Sequence, residues 1–199
     1  MVTIYDLKPR FQNLLRPIVG VLAKAGITAN GVTLFAVFAS IAAGAALYVS
    51  KGAAWALFLI PVVLFVRMAL NAIDGMLAKE HAMKSDLGAL LNEMGDVVSD
   101  AALYLPFAII GGMNPVWIVL FVIVAIFTEM VGVLAVTLQR ERAYDGPMGK
   151  SDRAFVMGAL SLAMACGFEH FTSINLIIVA ATFLGMWTVV RRGKKALAC

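Results

Sequence analysis

The sequence predicts an all-α polytopic membrane protein: six transmembrane helices behind an N-terminal amphipathic interfacial helix, with both termini cytoplasmic. Three observations predict it. Of 199 residues, 62% are hydrophobic and only 14% charged, and the mean hydropathy of +0.92 lies outside the range of soluble domains. Apolar stretches fall near 31–50, 54–79, 87–112, 115–139, 153–168 and 173–190, each close to the ~20 residues that cross a ~30 Å hydrocarbon core. Of the 16 Lys and Arg residues, all but Lys51 and Arg67 fall on one side of the membrane in that arrangement. Positively charged loops mark the cytoplasmic side, so the protein is expected in the cytoplasmic (inner) membrane. No linker or repeat divides the chain, which reads as a single domain over 1–199, with an interfacial helix at 1–28 and the bundle at 29–192.

In the first segment, Ile4, Leu7, Phe11, Leu14, Leu15, Ile18, Val19 and Leu22 recur at helical spacing. Lys8, Arg10 and Arg16 stand between them, so the segment suits the headgroup region. It has none of the features of a cleavable secretory leader. Asn30 is placed to cap the first span, with Thr33 a turn later. The second and third spans are joined by a short link at about 80–86 and are expected as antiparallel neighbours. The fourth is an apolar run that contains Glu129. The fifth, the shortest, is entered through Gly149, Lys150, Ser151, Asp152 and Arg153, and the sixth ends in Arg191, Arg192, Lys194 and Lys195. Cys166 and Cys199 are too few and too distant for a disulfide framework or a zinc site. The basic residues are spread over membrane-edge segments and not gathered on one module, so nucleic acid is not expected as a partner. Membrane lipids are.

Polar residues interrupt the second and third spans. Asn71, Asp74, Gly75 and Ala78 share one helical face, as do Gly88, Asn92, Asp96 and Asp100. Ionisable groups inside a span are costly and mark function. Carboxylates beside carboxamides suit a hard dication, Mg²⁺ or Mn²⁺. Gly75 and Ala78 let a ligand or another helix approach the backbone closely, and Lys79 adds a cation. Together these features describe a diphosphate site. The structural alternative is a buried hydrogen-bonding network that only fixes helix packing. Arg67, two turns above Asp74, is expected to pair with an acid such as Glu129.

Read from Asn71 to Asp96, the run N-x2-DG-x2-AK-x8-G-x3-N-x3-D resembles the signature of the CDP-alcohol phosphotransferases, D-x2-DG-x2-AR-x8-G-x3-D-x3-D. Every spacing matches. The resemblance extends to the amphipathic leading helix, the T-A-N-x2-T segment ending at Thr33, and the six spans. It implies transfer of a phospho-alcohol group, in bacteria most often phosphatidyl from CDP-diacylglycerol, to an acceptor hydroxyl with release of CMP. Divalent metal, a cytoplasm-facing site and a homodimer are implied with it. By position, Asn71, Asp74, Asn92 and Asp96 would bind metal. Gly75, Ala78, Lys79 and Gly88 would hold the CDP group, Asp96 would be the general base, and Lys150 and Arg153 would meet a phosphate on the acceptor or a lipid. Asn71 and Asn92 stand where the family has aspartate, so weaker or single metal occupancy is expected, and Lys79 replaces an arginine. Asp100 and Glu93 are the neighbouring acids that could restore the charge. Two other readings stay open: a hydrolase of CDP-diacylglycerol using water, and a non-catalytic relative acting in lipid or ion binding or transport.

Overall fold

The computed structural model describes residues 4–198, with side chains from Phe11 onward. The side chains of Ile4, Leu7, Lys8 and Arg10, and the whole of Cys199, lie outside the described residues. The described chain is helical throughout: α1 Ile4–Lys24, α2 Ala29–Val49, α3 Ala54–Glu80, α4 Asp86–Tyr104, α5 Pro115–Thr137, α6 Lys150–Ala165 and α7 Phe171–Leu197. Helices stand at all six expected spans. Of these, α2, α3, α5 and α7 are long and apolar enough to cross a bilayer. The other two differ for visible reasons, since α4 carries the acidic face and α6 has only 16 residues.

Local sequence explains most boundaries. Thr28, not Asn30, caps α2, its Oγ1 accepting from Gly31 N at 3.1 Å. Ser85 caps α4 through Gly88 N, and Asn114 caps α5 ahead of Pro115. The third apolar run was expected to continue to 112, but the α-helix stops at Tyr104 and a 3₁₀ segment, Leu105–Ile109, follows. Pro106 accounts for this, because its ring cannot continue an α-helix. Pro61 has the opposite outcome. It lies inside α3 and cannot donate to the carbonyl of Leu57. Ser161 of α6 donates to that carbonyl instead, at 2.8 Å, so the α3–α6 contact satisfies the gap the proline leaves.

Helix α2 packs against both α3 and α4, α3 against α6 and α1, and α5 against α7 and α4. The expected direct pairing of α3 with α4 is therefore corrected: the two make no extensive backbone contact, and α2 lies against both. Small residues explain the choice. A Cβ added at Gly44 would lie 1.9 Å from the carbonyl oxygen of Ala102, and one at Gly95 would lie 2.9 Å from Val37 Cγ2. That close crossing commits one face of α4 to α2 and leaves polar side chains to bridge from α4 to α3.

Two apolar clusters form the interior. The larger one includes Leu47, Ile60, Leu103, Tyr104, Phe107, Phe121, Met157 and Ile178. The smaller joins Leu15 and Val19 of α1 to Ala29, Val32, Ile73, Met76 and Leu77. On α3 the first ends at Leu64 and the second begins at Ile73, with Arg67 and Asn71 between them. Large apolar side chains such as Phe35, Phe38, Trp55, Phe65, Phe155 and Trp187 face outward, as a lipid-embedded surface requires.

Gly44→Ala is expected to destabilise the bundle by about 1–3 kcal/mol, because the obstructing atom is backbone and cannot rotate away. A thermal unfolding scan of the detergent-solubilised protein reads this directly, and an unchanged midpoint would contradict the close α2–α4 crossing.

Candidate active site

The polar residues of α3 and α4 meet one another and are joined by groups from α2, α5, α6 and α7. Asp100 is buried at 4% exposure, so both its carboxylate oxygens need partners. Arg67 Nη1 donates to Oδ1 at 2.5 Å, and Arg153 Nη2 and Nε donate to Oδ2 at 3.0 and 3.2 Å. Arg67 also reaches Asp96, through Nη2 to the backbone carbonyl at 3.0 Å and to Oδ1 at 3.3 Å. Its expected pairing with Glu129 does not form. Glu129 lies nearer the charged loop, where Arg153 and Arg142 each donate to it at 2.9 Å and Arg192 Nη1 approaches to 3.8 Å.

The link between α5 and α6 is drawn over this network by the same cations. Arg142 bridges Glu93 of α4 and Glu129 of α5. Arg192 of α7 donates to the carbonyls of Thr128, Asp145 and Tyr144 at 2.6, 3.1 and 3.4 Å. Thr188 donates to the carbonyl of Pro147. Further out, Lys195 hydrogen-bonds Asp145 at 2.6 Å and holds that carboxyl below the usual carboxylate range. Arg16 of α1 pairs with Glu80 at the end of α3 at 2.9 Å. One end of the bundle thus gathers both charged loops and the ends of α1 and α7.

Among the metal candidates, Asp96 is 8% exposed and is in contact with Asn71. Its Oδ1 receives the Lys150 ammonium, Arg67, and Asn71 Nδ2 at 3.3 Å. All these contacts fall on one oxygen, which leaves Oδ2 for other chemistry. Asp74, 6% exposed, accepts from Thr33 Oγ1 at 2.7 Å. Asn92 is half-buried one turn before Asp96. Two carboxylates and two carboxamide oxygens fit a single hard dication whose shell is completed by phosphate oxygens. They do not fit a cage of protein ligands alone, and among the described residues no three His, Cys, Asp or Glu groups converge as a metal site.

The residues expected at the CDP group divide. A Cβ at Gly75 would meet no atom within 4 Å, so the α3 backbone is open there. Ala78 instead packs against the α1–α3 apolar cluster, and Lys79 is exposed at the helix end. Gly88 gives room to another residue: an added Cβ would sit 2.7 Å from Asn30 Oδ1. Beside the site, α3 and α6 line a cavity of about 520 Å³ that opens to the surface of the bundle. Arg67, Asn71, Lys150 and Ser151 form its polar end, and Leu64, Phe65, Met68, Phe155 and Leu162 are among its apolar walls.

Arg153, expected beside Lys150 as a phosphate ligand, is committed elsewhere. It is 2% exposed, and all five guanidinium donors are used on Asp100, Glu129, Thr128 and the Met148 carbonyl. It lies three residues inside α6, where it points beneath α5, while Lys150 at the first turn reaches the cavity. Asp100 is equally unavailable as a metal ligand. Thr33, Asn30 and Arg67 are the members that pattern reading undervalued. The T-A-N-x2-T spacing was the available signal for the first two, since it puts Asn30 and Thr33 one helical turn apart.

A helical bundle with this paired-helix polar signature defines a class of membrane transferases. The chain matches the CDP-alcohol phosphatidyltransferase family over residues 26–190 and belongs to it. It is 45% identical over 197 residues to the inner membrane protein YnbA of Escherichia coli, covering 98% of this chain and 97% of the relative. An uncharacterised protein of Aquifex aeolicus is 33% identical over 105 residues, 53% of this chain and 50% of that protein. Among solved structures it resembles the Mycobacterium tuberculosis phosphatidylinositol phosphate synthase PgsA1. The form with CDP-DAG bound gives a TM-score of 0.77 at 17% identity over 90% of this chain and 92% of that one. The form with manganese and citrate gives 0.77 at 18% over 90% and 87%. At that identity the likeness establishes the fold. The apolar helices and the inner-membrane relative make this an integral membrane protein.

Arg153→Ala is expected to cost about 3–5 kcal/mol, because it removes the hydrogen-bonded charge from one oxygen of each of two buried carboxylates, Asp100 and Glu129. Arg16→Ala, which removes an exposed pair, is expected to cost under about 1 kcal/mol. Comparing their unfolding midpoints checks the assignment of Arg153 to the scaffold.

Proposed function

We propose that this protein transfers a phosphatidyl group from CDP-diacylglycerol, or a closely related CDP-linked lipid, to an acceptor hydroxyl and releases CMP. The observation that carries the proposal is the juxtaposition of the Asp74–Asp96 polar site with a cavity that is ionic at one end and apolar along its walls. Such a shape suits an amphiphile whose charged head must sit beside carboxylates while its tails stay in lipid. The bound CDP-DAG of PgsA1 supports the same donor class. Positively charged loops gather at the end of the bundle that holds the site, which favours six spans with cytoplasmic termini and a site facing the cytoplasm.

Asp74, Asp96 and the Asn71 and Asn92 carboxamides would hold a divalent cation, which would supply charge neutralisation of the diphosphate. The chain does the rest. Asp96 Oδ2 accepts the proton of the acceptor hydroxyl as that oxygen bonds to the lipid-side phosphorus. The bond from this phosphorus to the bridging oxygen breaks, and CMP leaves with the electron pair. Lys150 faces the diphosphate from α6, and the open backbone at Gly75 gives the cytidine its closest approach. Arg67 and Asn71 hold the Asp96 carboxylate through its other oxygen.

Purified protein incubated with Mg²⁺ or Mn²⁺, CDP-diacylglycerol and a panel of alcohols is expected to release CMP and form a new lipid detectable by mass spectrometry. Absence of CMP from folded protein with every acceptor would refute the proposal, and phosphatidic acid as sole product would reveal a hydrolase. Asp96→Asn is expected to lower turnover about 10²–10⁴-fold without unfolding the bundle. Gly75→Ala is expected to keep or slightly raise thermal stability, by up to about 1 kcal/mol, while raising the KM for the donor. Equal KM values would remove Gly75 from the nucleotide site.

A further inference from the structure

We infer that the site binds one divalent cation, and binds it only together with the donor's diphosphate, because Lys150 already serves Asp96 as a built-in cation. This rests on the function proposed above and concerns how the same site is filled. The Lys150 ammonium lies against Asp96 Oδ1, and Arg67 Nη2 stands 3.3 Å from the same atom. Asp74 is partly satisfied by Thr33. Across the whole network, the five carboxylates of Asp74, Glu93, Asp96, Asp100 and Glu129 face five cations, of which four are arginines fixed in the scaffold.

An empty site of that kind is electroneutral. A dication entering alone adds two uncompensated charges to a water-poor interior, a costly step. Entering with a diphosphate, it brings its own counter-charge and the oxygens that two carboxylates and two carboxamides do not supply. A second dication would again leave the site positive. The loss of two carboxylates at Asn71 and Asn92 removes the charge that one such ion needs.

Lys150 is the mobile partner in this arrangement. Its side chain is 30% exposed and lines the cavity, whereas those of Arg67 and Arg153 are 4% and 2% exposed. An ammonium on a four-carbon stem can turn from Asp96 to an arriving phosphate. Donor binding then draws the ammonium off Oδ1, which Arg67 and Asn71 go on holding, and leaves the Asp96 carboxylate one cation short, a charge that the ion arriving with the diphosphate makes good.

The test measures Mn²⁺ retained by the purified protein after equilibrium dialysis, with Mn²⁺ alone, CDP alone, and both together. The expected result is no retained metal with Mn²⁺ alone and one Mn²⁺ per chain when CDP is present. Retention without CDP, or of two ions per chain with it, would overturn the inference. CDP retained with no metal would overturn it while leaving the nucleotide-binding reading intact; failure to retain either would count against both. Lys150→Met is expected to retain Mn²⁺ without CDP, at least about ten-fold more tightly than the parent. Unchanged metal retention in a folded Lys150→Met protein would remove Lys150 from the account. Asn92→Asp, which adds a carboxylate and removes no contact, is expected to move metal affinity in the same direction and serves where Lys150→Met does not fold.

Discussion

The contact on which most of this structure depends is the pair of arginines on Asp100. A carboxylate at 4% exposure within a bilayer-embedded bundle is tolerable only if both oxygens are bonded to charge. Arg67 comes from α3 and Arg153 from α6, so neutralising one acid on α4 fixes three helices relative to one another. Glu129 extends the constraint to α5, and Arg192 extends it to α7. Apolar packing against lipid cannot set such geometry, since lipid tails are as apolar as the side chains they would replace. Directional ion pairs are what specify the arrangement here.

The same constraint explains why some of the fold could be read from the chain and some could not. Helix positions followed from apolar length, because the hydrocarbon core sets a minimum that composition reports directly. The corrections came where a local residue overruled that average. Pro106 cut α4 short of its apolar run, and Thr28 displaced Asn30 as the cap of α2. The expected α3–α4 pairing failed because a short link constrains only chain ends. The helix faces were decided by Gly44 and Gly95, whose missing side chains admit α2. No spacing rule would have ranked those glycines above Gly88 or Gly75.

The candidate site was legible in its members and not in its partners. The residues from Asn71 to Asp96 could be placed on one face of each of two helices from helical period alone. Which cation meets which acid depends on side-chain reach and burial in three dimensions, which residue spacing does not report. Arg67 was matched to Glu129 because both looked isolated in apolar runs, yet Asp100 and Asp96 are its partners. Arg153 looked like a surface charge near Lys150, but three residues of helix carry its guanidinium into the core. Three residues along α6 separate a side chain that lines the cavity from one that is 2% exposed.

That difference of one turn divides the site between scaffold and chemistry. Arginines with all or most donors engaged, such as Arg153, neutralise carboxylates that never change partner, and their cost is met once on folding. Lys150 and Asp96 lie at the rim of the same network, where exposure is higher and each keeps capacity for another bond. A charged substrate can compete for those groups without disturbing the buried pairs beneath them. Asn71 and Asn92 fit this division. In the proposed site their neutral oxygens would add ligands without adding charge that the resting network would have to hold. On the function proposed above, a doubly charged headgroup would be the event that alters the pairing, and the balanced interior would confine that alteration to Lys150, whose side chain is the most exposed of the five cations.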